Sequence, residues 1–154
     1  MCRIVPLGVL AALSLLAPPA LEAQDVDVSG DWIITYCMHG EPNCGIGSRR
    51  SVSMDATFEQ DGTTVTGTAF ISPRWPERVG EPEPAPLGDV GLDGDRITFT
   101  VSRGFRRDVP VTYVYTGTVT GDTMEGTVVY RDPVASPDAY PPFPFTGTRK
   151  GGGG

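Results

Sequence analysis

From residue 30 onward the chain alternates apolar and polar positions in short runs. Trp32, Ile34 and Tyr36 share one parity, as do Val52, Met54, Ala56 and Phe58, and then Val65, Gly67, Ala69 and Ile71. The pattern continues with Val90 and Leu92, with Ile97, Phe99 and Val101, and with Val111, Tyr113, Tyr115, Gly117 and Val119. It ends with Met124, Gly126, Val128 and Tyr130, and with Phe143, Phe145 and Gly147. The opposite parity is largely Thr, Ser and Asp, as in Ser51, Ser53, Asp55 and Thr57. A period of two with threonine outside predicts half-buried antiparallel strands, eight in all, and no stretch carries a helical period.

The links between these runs carry the architecture. Asp61-Gly62, Asp93-Gly94-Asp95 and Gly121-Asp122 are tight hairpin signals. The remaining links are long, over 39–49, 73–87, 102–109 and 131–142, and they alternate strictly with the tight ones. An up-and-down meander turns at opposite ends on successive links. All tight turns therefore gather at one end and all long loops at the other. The expected fold is all-β, an eight-stranded antiparallel up-and-down barrel, because closure removes both sheet edges. The alternative is a β-sandwich, whose Greek-key crossovers would break the strict alternation.

Ahead of the strands, residues 1–23 read as a signal peptide: Arg3, then an apolar run over Ile4–Leu16, then Pro18 and Pro19. The run is shorter than the roughly 20 residues that span a bilayer. Cleavage after Ala23 leaves a single domain over 24–150 and a glycine tail over 151–154. The expected location is secreted or periplasmic, with no membrane association once the signal is gone. Cys2 leaves with the signal, so Cys37 and Cys44 remain as an even pair in an oxidising compartment, and a disulfide between them is expected. Twenty glycines and fifteen prolines fit a turn-rich strand protein, and a formal charge of −7 without a basic run excludes a nucleic-acid binder.

Gly30-Asp31-Trp32 opens the first strand and Arg149 ends the last. In a closed meander the two are neighbours at the tight-turn end, where a guanidinium can stack on the indole. This resembles the calycin arrangement of lipocalins and avidins, in which a Gly-x-Trp and a late basic residue seal the barrel base. The run Asp61–Thr68 also resembles the second hairpin of avidin-type barrels. The resemblance implies a barrel with Gly30, Trp32 and Arg149 as its base and a small ligand bound at the other end. Biotin is not the expected ligand, since Trp75 is the one tryptophan in the predicted mouth loops.

Candidate chemistry is sparse. His39 stands alone beside the cysteine pair, so the sequence predicts no metal site and no catalytic residue, and no cofactor motif is present. Asp93-Gly94-Asp95 is accounted for by a turn. The wide end of the interior would be lined by Tyr36, Met54, Phe99, Val101, Tyr113, Tyr115, Tyr130 and Phe143. Arg103, Arg106 and Arg107 form the one locally basic stretch there and are candidates for an anionic head group. Barrels of eight strands either fill with side chains or hold one small ligand. The reading is a secreted, non-enzymatic barrel that binds a small apolar or amphipathic ligand at its long-loop end. A second reading is a protein-binding module, resembling calycin-type protease inhibitors, acting through loops 73–87 and 131–142, which hold most of the prolines. A third is an enzyme using carboxylates or tyrosine hydroxyls inside the barrel.

Overall fold

The computed structural model describes residues 26–37, 51–71, 82–105, 109–135 and 140–151. Their strands are β1 (Gly30–Cys37), β2 (Ser51–Asp61), β3 (Thr64–Ile71), β4 (Glu83–Pro86), β5 (Gly88–Asp93), β6 (Arg96–Phe105), β7 (Val109–Thr120), β8 (Thr123–Arg131) and β9 (Phe143–Arg149). They form one antiparallel sheet in the order β4-β3-β2-β1-β9-β8-β7-β6-β5. The two ends of that order, β4 and β5, are consecutive in sequence and separated only by Leu87. The sheet therefore curls until its edges meet, giving a nearly closed up-and-down barrel compatible with a calycin-like build. A single continuous sheet does not support the sandwich alternative.

Nine strands stand where eight were expected because the fourth is broken in two. Its first half, Glu83–Pro86, pairs with β3, and its second half, Gly88–Asp93, pairs with β6. The sequence hides β4 behind Pro84 and Pro86, which read as loop. Here they are tolerated because of where their nitrogens point. Leu87 N donates to Gly67 O of β3 at 2.9 Å. Amides alternate sides along a strand, so those of residues 84 and 86 face β6, where proline has no donor to offer. Lacking those donors, β4 makes no ladder with β6, and β5 takes over below it. The handover is marked by a register shift between Gly88 and Gly91 and by Asp89 at φ 45°.

The three tight links are two-residue turns whose first position is glycine, with φ of 60° at Gly62, 60° at Gly94 and 57° at Gly121. That is the position a hairpin turn with the right twist reserves for glycine. One expected long link is shorter than 102–109: β6 continues to Phe105 and β7 begins at Val109. The pairing Arg103↔Val111, Gly104↔Pro110, Phe105↔Val109 extends this hairpin toward the open end. Gly104 and the arginines had masked the alternation of that stretch.

The parity read from the sequence matches the burial observed along most of the strands; at the start of β2 it does not, since Ser51 is buried and Val52 half-buried. Trp32, Ile34, Ala56, Phe58, Ala69, Ile97, Phe99, Val101, Tyr115, Val119, Met124, Val128 and Phe145 are all buried in one core, and the intervening threonines are half-buried or exposed except Thr35, which is buried. Val28, just before β1, plugs the tight-turn end beside them.

Candidate binding site at the open end

The two ends of the barrel differ in chemistry. At the base, Trp32 and Arg149 are register partners on β1 and β9, and the guanidinium carbon lies 4.7 Å from the indole centroid. Trp32 Nε1 donates to Val28 O at 2.9 Å. Arg149 donates from Nη1 to Ser29 O and from Nη2 to Asp27 O, the latter at 2.6 Å. Its Nε lies 2.9 Å from Asp122 Oδ1, an ion contact whose angle is too poor for a hydrogen bond. Gly30, at φ 110°, lets the chain enter β1 beneath that guanidinium. The base is thus closed over by Arg149, whose guanidinium stacks on Trp32, donates to two backbone carbonyls and pairs with Asp122.

The open end is aromatic. All five tyrosines of the chain are 36, 113, 115, 130 and 140, and their rings form one chain of contacts. Strand parity turns Tyr36, Tyr113, Tyr115 and Tyr130 inward from β1, β7 and β8. The centroids of Tyr36 and Tyr113 are 5.9 Å apart, those of Tyr36 and Tyr115 6.2 Å, and those of Tyr113 and Tyr130 5.2 Å. Tyr115 stacks flat on Phe99 at 4.6 Å and donates from its hydroxyl to Met54 Sδ at 3.8 Å. Deeper still, Phe99 meets Phe58 edge-on at 5.4 Å. The aromatic column therefore runs from the open end well into the core.

Of the residues expected to line a site, Tyr36, Met54, Phe99, Val101, Tyr115 and Phe143 are buried against one another. Tyr113 and Tyr130 are half-buried and form the accessible floor. Arg103 has the same parity as Val101 on β6, so its stem leaves the strand on the barrel side, and it is half-buried. Its charge acts favourably on the ionised forms of Tyr36 and Tyr113. Cys37 is buried at the mouth end of β1. Arg106, Arg107 and Cys44 lie outside the described residues, as do the signal segment and most of loop 73–87. Among the described residues no cluster of His, Cys, Asp and Glu is disposed to hold a metal ion.

Sequence reasoning missed Tyr140. It belongs to the predicted loop 131–142 and has no strand parity, yet its ring lies edge-to-face on Tyr130 at 4.8 Å, interplanar angle 86°. It is 41% exposed and so forms the outermost wall of the site. The available signal was its setting: an aromatic residue just before Pro141-Pro142 is held rather than loose.

Burial is the main cause that pushes the Tyr36 and Tyr115 hydroxyls far above the ordinary phenol range, and it raises Tyr113 and Tyr130 as well. At neutral pH the hydroxyls of Tyr36, Tyr113, Tyr115 and Tyr130 are therefore protonated and able to donate. The consequence for stability has a definite sign. Below pH 10, the ordinary phenol value, folded and unfolded chains are equally protonated and the contribution is fully present. Above it the unfolded chain ionises tyrosines that the folded protein keeps neutral, so stability falls by up to about 1.4 kcal/mol per pH unit for each fully buried phenol. Lys150 is the one lysine, so alkaline titration is dominated by phenols. Urea midpoints measured above and below pH 10 are expected to drop steeply on the alkaline side. A flat profile would refute the buried cluster.

No family model matches this chain, and neither a curated protein nor a solved structure matches it.

Proposed function

We propose that this protein is an exported binding barrel that takes a small apolar or amphipathic ligand at its long-loop end. The observation that carries this reading is the gathering of every tyrosine, with Arg103, at the open end of a barrel whose other end is sealed. Side chains that only fill space do not need phenol hydroxyls. A cluster of amphipathic rings with one cation offers flat apolar contact together with directional donors.

The apolar part of the ligand would rest on Tyr113, Tyr130 and Tyr140, and Arg103 would receive its polar head. Because the deeper aromatics are buried among themselves, the ligand sits over the core rather than inside it. Export through residues 1–23, a calycin-like ancestry and a Cys37–Cys44 disulfide that ties β1 to the loop beyond it belong to the same proposal.

Native mass spectrometry of the protein exported into an oxidising periplasm tests it. The expected spectrum shows a mature chain from Gln24 lacking two thiol hydrogens and retaining a small molecule. The Tyr113→Ala, Tyr130→Ala double variant is expected to lose the adduct while keeping the strand spectrum by circular dichroism. A bare wild-type chain that also fails to bind any amphipathic probe added back would overturn the reading.

A further inference from the structure

We infer that the ligand is a planar aromatic monocarboxylate, lying flat across the mouth tyrosines with its carboxylate on Arg103. The inference rests on the reading above and narrows it from amphipathic ligands in general to one class.

Depth excludes a chain. A fatty acyl or other long alkyl group needs a channel along the barrel axis. Directly beneath the mouth that axis is occupied: Tyr36 is 7% exposed, Val101 and Tyr115 1% each, and Phe99 not at all. These rings are held by one another, flat between Tyr115 and Phe99 and edge-on between Tyr115 and Phe145. Parting them would break a packed core. The apolar portion must therefore be shallow.

Ring geometry favours an aromatic occupant. Tyr113 meets Tyr130 at an interplanar angle of 62° and Tyr130 meets Tyr140 at 86°, so the mouth is the unfinished end of a herringbone. Another ring continues that packing, since edge-to-face contact pairs the positive rim of one ring with the negative face of the next. An aliphatic group of equal area gains only burial.

Charge selects the head group. Among the described residues the ion pairs are Arg149–Asp122 and Lys150–Asp55, both at the base or on the outer wall, and Arg103 joins neither. Arg103 as a residue is half-buried, leaves β6 on the barrel side at the register position of Val111, lies diagonal to Tyr113 in the ladder, and its charge favours the ionised forms of Tyr36 and Tyr113. A single planar fork matches one carboxylate in two parallel hydrogen bonds. Among the described residues Arg103 is the one cation that leaves its strand on the barrel side at this end, and one cation balances a monoanion and leaves a phosphate dianion half neutralised.

The test is an NMR titration at neutral pH of the mature protein, disulfide intact, with three probes: 2-naphthoate, octanoate and 2-naphthol. Naphthoate is expected to shift the Tyr113, Tyr130 and Tyr140 ring resonances and to bind about tenfold or more tighter than either other probe. Arg103→Gln is expected to reduce naphthoate to the level of naphthol while leaving naphthol unchanged, a pattern that misfolding would not give. Tyr140→Leu, which keeps apolar area but removes a ring, is expected to weaken naphthoate and spare octanoate. Octanoate binding as tightly as naphthoate would overturn the aromatic class and leave the mouth site standing. Naphthol equal to naphthoate would overturn the role of Arg103. Silence of the mouth rings toward all three probes would overturn the mouth site itself.

Discussion

Replacing Trp32 with alanine is expected to lower stability by about 3–5 kcal/mol, the range for losing a fully buried large aromatic side chain. The indole is wholly buried. Around it, Val28 O loses its donor, and the Arg149 guanidinium loses the face it stacks on. The same guanidinium holds Ser29 O and Asp27 O, while Val28 N is held by Gln60 Oε1 at 2.8 Å. The substitution therefore loosens the segment that plugs the base as well as opening a cavity. Small domains are stable by about 5–15 kcal/mol in total, so the substitution removes a substantial share of the whole margin. Urea denaturation followed by far-ultraviolet circular dichroism measures the loss. Trp32→Phe, which keeps a ring beneath Arg149, is expected to fall between. A Trp32→Ala protein within about 1 kcal/mol of the parent would mean the seal contributes little.

Gly126→Ala is expected to be comparably damaging, although it adds a single methyl group. Gly126 on β8 pairs with Gly117 on β7 and with Phe145 on β9. A Cβ at 126 would stand 2.1 Å from Thr116 O, 2.5 Å from Gly117 Cα and 2.8 Å from Phe145 Cε1. The first two are backbone atoms in the middle of a ladder, so relief requires separating two strands. Overpacking of this kind costs about 1–3 kcal/mol, and more where backbone has to move. Adding Phe145→Ala removes the ring contact but leaves both backbone contacts, so the double variant is not expected to recover. Thr127→Val, next in the same strand but exposed, is the control and should stay within about 0.5 kcal/mol. Recovery in the double variant would show that the ring, not the backbone, makes glycine necessary.

These two sites show how differently sequence and structure speak. Trp32 and Arg149 were legible because hairpin links and strand parity together place the two ends of the chain side by side, and their register pairing follows. The inward glycines were legible as core-parity positions without side chains, but the ring that covers Gly117 and Gly126 was not. Phe145 belongs to β9, and its place over β7 and β8 is set by the curvature of the whole sheet. In the same way β4 was hidden by Pro84 and Pro86. Proline is judged by whether its nitrogen faces a partner strand, and that depends on which strand lies on each side.

The candidate site divides along the same line. Eight of its rings and aliphatic side chains were assigned to the interior from parity alone, and the same rule turns Arg103 toward the barrel once β6 is known to continue past Ser102. Tyr140 has no period to read, because its position follows from the path of a proline-bounded loop onto the ring of Tyr130.

By itself the sequence determined which face of each strand is buried, where the chain reverses and which end carries the tight turns. Those properties are local: side chains alternate every residue along a strand, and a two-residue turn is decided by the φ its glycine can adopt. Only the tertiary structure decided that the fourth strand breaks to join both sheet edges, that the interior is filled beneath the mouth, and that tyrosines from three strands and a loop meet in one cluster. Those properties depend on how strands tilt and stagger around the barrel, which sums over every pair in the sheet and is written in no single segment.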